Sequence, residues 1–417
     1  MHHIAIIGAG ITGVTSAYAL RKLGYDVTVI DKQRYCAMET SFANGGQLSA
    51  CNAEVWNNVS TLIKGMRWMF TRDAPLLVNP MPSWHKYSWM AEFVRNVSNY
   101  RQNTIQTTRL AIEAREHLYR MAKDENIDFD LEQRGILHVY HDRKSFDVAR
   151  RVNALLQEGG LERHEVTSAE ARNIEPALQQ DCYGGFFTPS DATGDIHKFT
   201  RGLAAACKRK GVNFLMDAEV QTIASVGQQG HQLVLKQVSS GEEHRLDADA
   251  VVVCAGAASR RFASMLGDRV NIYPVKGYSI TVNLRDEASV QATPWVSLLD
   301  EEAKIVTSRL GRDRFRVAGT AEFNGFNKDI RADRTQPLTD WVRRSFPGID
   351  TSAVVPWAGL RPMMPDMMPR VRAGKRPGVF YNTGHGHLGW TLSPITAQML
   401  VDTVQEHLNP QAEPVLA

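Results

Sequence analysis

The chain opens on an apolar run, His3–Ile7, that breaks at Gly8, Gly10 and Gly13. Apolar positions then recur at helical spacing as far as Leu20, and a second apolar run, DVTVID, ends on Asp31. Short apolar runs on either side of a 3.6-residue periodicity predict strand, helix, strand. Helical spacing returns over residues 108–124, 145–158, 198–210 and 396–407. Strand-like alternation appears in GILHVY, VNFLMDAEV, HQLVLKQV, YSITVNL, KIVTSRL and RFRVAGTAEF. Gly211 follows the third of these helices and hands the chain directly to a strand, as a helix-terminating glycine does. The run DADAVVVCAG is continuously apolar, the mark of a strand buried on both faces of a parallel sheet. Its Ala255 and Gly256 leave room for something to approach the strand's end. Residues 91–149 and 271–349 have another character, with longer helices and antiparallel-style alternation. They predict a second domain that covers the first, so residues 1–90, 150–270 and 350–417 form one discontinuous domain. The tail from Asn409 reads as dispensable.

Composition narrows the class. A chain of 417 residues with 43% hydrophobic and 22% charged residues has the make-up of a soluble globular protein with two cores. A net charge of +3 gives no basis for a nucleic-acid partner. No apolar run approaches the roughly 20 residues that span a bilayer, and a first strand at the very start leaves no room for a signal peptide. Five scattered cysteines without a CxxC pair fit a reducing cytoplasm and argue against structural zinc.

The glycines give the first unit its chemistry. In GxGxxG, Gly8 permits the tight turn, Gly10 admits a pyrophosphate to the backbone, and Gly13 lets the helix lie on the strand with its N-terminus toward the phosphates. Asp31, about 20 residues on, is placed to accept hydrogen bonds from a ribose diol. This is a dinucleotide-binding βαβ unit. The loop ETSFANGGQLSA that follows offers backbone N–H groups and short hydroxyls, and its Gly45 and Gly46, beside Asn44 and Gln47, leave a flat heteroaromatic ring unhindered. In WAGLRPMMPD, Arg361 stands between Gly359 and Pro362. A guanidinium on so stiff a turn suits bidentate capture of a small carboxylate. In NTGHGHLGWTLSP, Gly384, Gly386 and Gly389 precede a helical segment whose N-terminus stabilises negative charge. His385 and His387 lack a third ligand nearby and read as loop hydrogen-bonding groups; neither reads as a catalytic base.

Together, GAGITG with Asp31, ETSFANGGQLS, PVKGYS around Tyr278, GLRP around Arg361 and TGHGHLGW resemble the FAD-dependent D-amino acid oxidase and dehydrogenase family, most of all its bacterial dehydrogenase branch. The likeness spans nearly the whole chain. It implies an α/β fold: a discontinuous, Rossmann-like FAD-binding domain with an α+β substrate domain, D-amino acid oxidase-like. It implies that Gly8, Gly10, Ile11, Thr12, Gly13, Asp31 and Lys32 hold the ADP half of FAD, with Val220, Ala255 and Gly256. Thr40, Ser41, Asn44, Gly45, Gly46, Gln47 and Leu48 would line the pyrophosphate and flavin. Gly384, His385, Gly386, His387, Leu388, Gly389, Trp390 and Thr391 would hold the pyrimidine edge. Arg361 would bind the substrate carboxylate, with Tyr278 and His387 beside it. The sequence departs from the family at DGxPxxG, which here reads DMMPRVR with Arg372 in a glycine position, and at His387, where a small residue is common.

The implied reaction is hydride transfer from the substrate Cα to flavin N5, giving a 2-oxo acid and ammonia, with electrons passed to a quinone. Residues 66–90 mix Trp, Met and Leu with Lys and Arg, a composition that suits either a membrane surface or packing in the second domain. A cytoplasmic enzyme, peripheral on the membrane's inner face, follows from the first alternative. Oxidation of a secondary amine such as sarcosine or a hydroxyproline isomer, an NAD-linked dehydrogenase, and a non-catalytic flavoprotein subunit stay open at this point.

Overall fold

The computed structural model describes residues 2–59, 61, 63, 76–227 and 230–408. The predicted first unit forms as β1 (His3–Ile7), α1 (Ile11–Lys22) and β2 (Asp26–Asp31). β1 lies at the heart of a six-stranded sheet, parallel to β2 on one side and to Ala250–Val253 on the other. Asn213–Met216 extends the sheet beyond β2. Val379–Thr383 extends it beyond Ala250–Val253, with Arg370–Ala373 as an antiparallel edge.

The near-continuous apolarity of these strands has a direct cause. Ile4, Ile6, Val27 and Val252 face α1 and the helices Ile196–Arg209 and Gly389–Leu408, whereas Ala5, Ile7, Val251 and Val253 face a three-stranded sheet and the helix Ser259–Met265. Both faces are buried, so alternation gives way to a run of apolar residues.

A second, mostly antiparallel sheet of nine strands carries Tyr273–Asn283 between Val354–Met363 and Arg314–Phe323, and extends through Ile305–Leu310, Ser297–Asp300 and Ile136–Tyr140. The helix Ala332–Ser345 covers one face with Leu338, Trp341 and Val342. The expected partition shifts here: His164–Thr167, Gly184–Thr188 and Val354–Met363, read with the first domain, are strands of this second sheet. A buried junction ties the two sheets. Asp195 accepts from the N–H groups of His197 and Lys198, capping their helix, and also from Arg314 at 2.7 Å.

The predicted helices appear somewhat longer, as Tyr100–Asp124, Arg143–Glu158, Ile196–Arg209 and Gly389–Leu408. VNFLMDAEV is two strands, not one. Asp217 takes φ +60° and breaks it, so Asn213–Met216 joins the parallel sheet and Ala218–Val226 the three-stranded one. The unusual Arg372 lies in a regular edge strand opposite Tyr381. The backbone of DMMPRVR departs from ordinary conformations at Met367, with φ +63°.

Candidate active site

A cavity of about 1600 Å³ runs between the two sheets. It exceeds the ~300–1,000 Å³ usual for one small ligand. At one end lie Asp31, Lys32 and Val220, and at the other Arg361 and His387.

The first end is made by close backbone packing. A Cβ on Gly13 would stand 1.8 Å from the Gly8 carbonyl oxygen, and one on Gly8, at φ +113°, would stand 2.5 Å from that of Cys254. Only glycine lets α1 begin this near the ends of β1 and Ala250–Val253. The α1 N-terminus has no acid in its first turn and no side-chain cap from Gly10. Ser41 Oγ accepts from Ile11 N–H at 3.0 Å, a neutral partner, so the positive end faces the cavity at Gly10, Ile11 and Thr12 without an acid in its first turn. Asp31 accepts from the N–H groups of Ala9 at 2.7 Å and Gln33 at 2.9 Å. Its remaining lone pairs face the cavity. Burial raises its pKa, and those N–H bonds oppose the shift.

The glycine loop is pressed against the second sheet. Ser279 and Ser308 donate to the carbonyls of Ala43 and Gly45, each at 2.7 Å, and Arg316 donates to Asn44 O at 3.0 Å. A Cβ on Gly45 or Gly46 would strike Val306 or Ser308 within 3 Å. Sequence reasoning named the loop but missed the three side chains that pin it, because they stand more than 200 residues away in strands that read as ordinary alternation.

At the far end, Arg361 stands not on the expected turn but in the strand Val354–Met363, opposite Val275, and extends across Gly277, where a Cβ would lie 2.3 Å from its Nη1. The glycine of KGYS thus makes room for the guanidinium. Arg361 donates to Thr320 O at 3.2 Å, and no carboxylate among the described residues lies within ion-pair distance of it. Burial pushes its pKa down to about 10, which leaves it charged at neutral pH. Thr320, also missed, holds φ +60° to present that carbonyl. Such strain in a residue that is not glycine persists where surrounding structure enforces it.

Gly384, Gly386, Leu388, Gly389 and Trp390 line the cavity ahead of the last helix, as expected. His387 stacks on Trp56, centroids 4.8 Å apart, and its Nε2 lies 3.0 Å from Asn52 O. That carbonyl requires a protonated Nε2, and burial holds the ring's pKa down at about 4. Its Nδ1 is enclosed and without a partner among the described residues, an arrangement that suits a wall better than an accessible base. His385 turns away to Thr396 Oγ1 at 2.9 Å and contributes through its loop.

Three expected contacts lie just behind the surface. Gly13 acts through packing, Leu48 is a core residue, and Thr391 Oγ1 accepts from Ser49 N–H at 3.2 Å. Tyr278, expected as a substrate neighbour, borders the cavity, but its side chain is directed elsewhere. Its side chain belongs to the core under Ala332–Ser345, and its hydroxyl donates to Glu322 at 2.7 Å. Strand alternation explains this: Gly277 has the Arg361 side, so Tyr278 takes the other.

A buried trio, Cys51, His138 and Glu301, has its atoms within 3.2–3.4 Å, the order of a nucleophile, base and orienting acid. Its protonation opposes that chemistry. Burial and Asp191 push the thiol well above its ordinary range, and burial holds His138 at about 4. A neutral thiol is a poor nucleophile.

Residues 3–403 match the family described as FAD dependent oxidoreductase. The chain is 61% identical over 408 residues to D-amino acid dehydrogenase 3 of Mesorhizobium japonicum, covering 98% of each. It is 41% identical to a D-amino acid dehydrogenase of Paramagnetospirillum magneticum, covering 96% of this chain and 94% of that one. In fold it is similar to glycine oxidase from Geobacillus kaustophilus, with TM-score 0.73, 21% identity and full coverage of both chains.

Proposed function

The chain belongs to the FAD-dependent oxidoreductase family with FAD as its cofactor, and from that premise we infer that it oxidises D-amino acids to 2-oxo acids and ammonia. The observation that carries this reading is the charged, half-buried guanidinium of Arg361, free of any acidic partner among the described residues, at the end of a dinucleotide-sized cavity. The names of the two bacterial relatives support the substrate class.

The residues present fit FAD. The α1 N-terminus, with no acid in its first turn, suits the pyrophosphate, Asp31 the ribose, and the Gly45 and Gly46 backbone along the cavity a flat ring. When bound, FAD supplies the acceptor for the hydride that leaves the substrate Cα. Arg361 binds the carboxylate through a planar fork and so fixes the Cα by orientation. Gly277 leaves the space that fork occupies, and Thr320 O holds it from one side. His387 and Trp56 close the wall. With His387 neutral and its Nδ1 enclosed, the substrate ammonium loses its proton to solvent. Anaerobic addition of paired D- and L-amino acids and N-methylglycine tests the reading. D-enantiomers should bleach the flavin absorbance; bleaching by L-enantiomers or N-methylglycine alone would overturn it.

We further assign the electrons to a quinone at the inner face of the cytoplasmic membrane. Residues 66–75 of the amphipathic stretch lie outside the described residues. Supporting this assignment, the helix Trp84–Arg95 carries exposed Trp84, Tyr87 and Val94, and Val94 also lines the cavity. Among the described residues no helix is long and apolar enough to cross a membrane, so contact would be peripheral. Reduction of a ubiquinone analogue should outpace reduction of oxygen. The reverse order would remove this assignment and leave the amino-acid reaction in place.

A further inference from the structure

Residues 52–56 contribute one wall of the cavity. Asn52 offers its carbonyl to His387, Trp56 offers its ring to the same imidazole, and Glu54, between them in sequence, also lines the cavity. Glu54 receives two hydrogen bonds, from Tyr100 Oη at 2.6 Å and Asn58 Nδ2 at 3.2 Å, and both fall on Oε1. Among the described residues no Lys, Arg or His lies within ion-pair distance of its carboxylate.

The charged neighbours have other commitments. Lys304 pairs with Glu301, and Glu301 also faces His138 at 3.4 Å. Arg163 is 3% exposed and stacked on Phe186 at 4.8 Å. Glu54 is therefore a cavity-lining carboxylate with an oxygen uncommitted. Burial raises its pKa, with Arg163 and Lys304 opposing the shift only at a distance. A half-buried carboxylate without a cation carries part of the cost of desolvation, and a bound cation relieves it.

Resting on the proposed D-amino acid reaction, we propose that Glu54 determines specificity by accepting the cationic end of the substrate's side chain, so that the enzyme favours basic D-amino acids. Arg361 holds one end of such a substrate and Glu54 the other. The methylene stem lies along Trp56, whose flat face needs no polar partner. The acid makes no ion pair with Arg361, so it selects the side chain and leaves the carboxylate clamp free of competition.

The test compares D-lysine and D-arginine with D-norleucine, which matches D-lysine's chain without the charge, and with D-glutamate. Rates are read by anaerobic flavin bleaching and dye reduction with the FAD-loaded enzyme. The wild type should favour D-lysine over D-norleucine at least tenfold in kcat/KM, chiefly through KM. In Glu54→Gln that ratio should fall at least tenfold while flavin content is retained. Equal use of D-lysine and D-norleucine by the wild type overturns the proposal whether or not the variant folds. A parallel loss on both substrates in the variant also overturns it, because that would place Glu54 on the α-ammonium. Preference for D-glutamate overturns it in favour of Arg163. If no D-amino acid bleaches the flavin, the underlying reaction fails; if neutral ones bleach it as well as basic ones, only this specificity fails.

Discussion

The two ends of the cavity are built by different means. At the end proposed for the nucleotide, recognition rests on backbone: a helix N-terminus without an acid in its first turn, a strand end and glycines packed so closely that a Cβ would collide with a neighbouring carbonyl. At the end proposed for the substrate it rests on side chains drawn from the antiparallel sheet and nearby loops, with Arg361 held by the Thr320 carbonyl, Trp56 by the His387 ring and Glu54 by Tyr100. A dinucleotide presents the same phosphates and ribose in every enzyme that binds it, so backbone geometry suffices. Selectivity among amino acids requires charge and shape that can be changed one side chain at a time.

The contrast breaks most sharply at Gly13. Gly13→Ala would force 1.8 Å contact with Gly8 O and should yield protein without flavin absorbance, because α1 cannot dock. Arg361→Ala should retain flavin yet lose about 100- to 1,000-fold in kcat/KM, mostly through KM, the range for removing a buried charge partner. Loss of flavin in that variant, or unchanged kinetics, would dissolve the division between the ends.

Gly277→Ala sharpens it further. It leaves the charge in place and displaces the fork, so a KM increase of roughly tenfold with normal flavin content is expected, about 1.4 kcal/mol of misorientation. The pH profile isolates the substrate end. With His387 neutral above about 4 and His385 above about 3, no histidine of this loop should titrate between about pH 5 and 8. There kcat/KM should rise with pH as the substrate loses its ammonium proton, and the apparent pKa should move with the substrate's own amine. An inflection fixed near neutrality for every substrate would restore a protein base.

The smallest effect lies between the ends. Met367→Gly relieves a left-handed backbone worth ~1–2 kcal/mol but removes a side chain 6% exposed, worth ~1.5–3 kcal/mol. Net destabilisation of about 1 kcal/mol by denaturant titration, with KM unchanged, is expected.

The sequence by itself determined the nucleotide end. Gly8, Gly10, Gly13 and Asp31 lie within one strand–helix–strand unit, where local periodicity sets every distance. Arg361 was named from the chain as well, but the stiff turn expected to carry it is the strand Val354–Met363, paired with Tyr273–Asn283. Tertiary structure decided the rest. It turned Tyr278 to Glu322, because alternation alone does not say which face of a strand meets the cavity, and it assigned Val354–Met363 to the second sheet. It also brought Ser279, Ser308 and Arg316 onto the Asn44 loop and left Glu54 without a paired cation among the described residues. Such contacts join residues far apart in the chain, and periodicity carries no information about which strands pair or which charges remain unpaired.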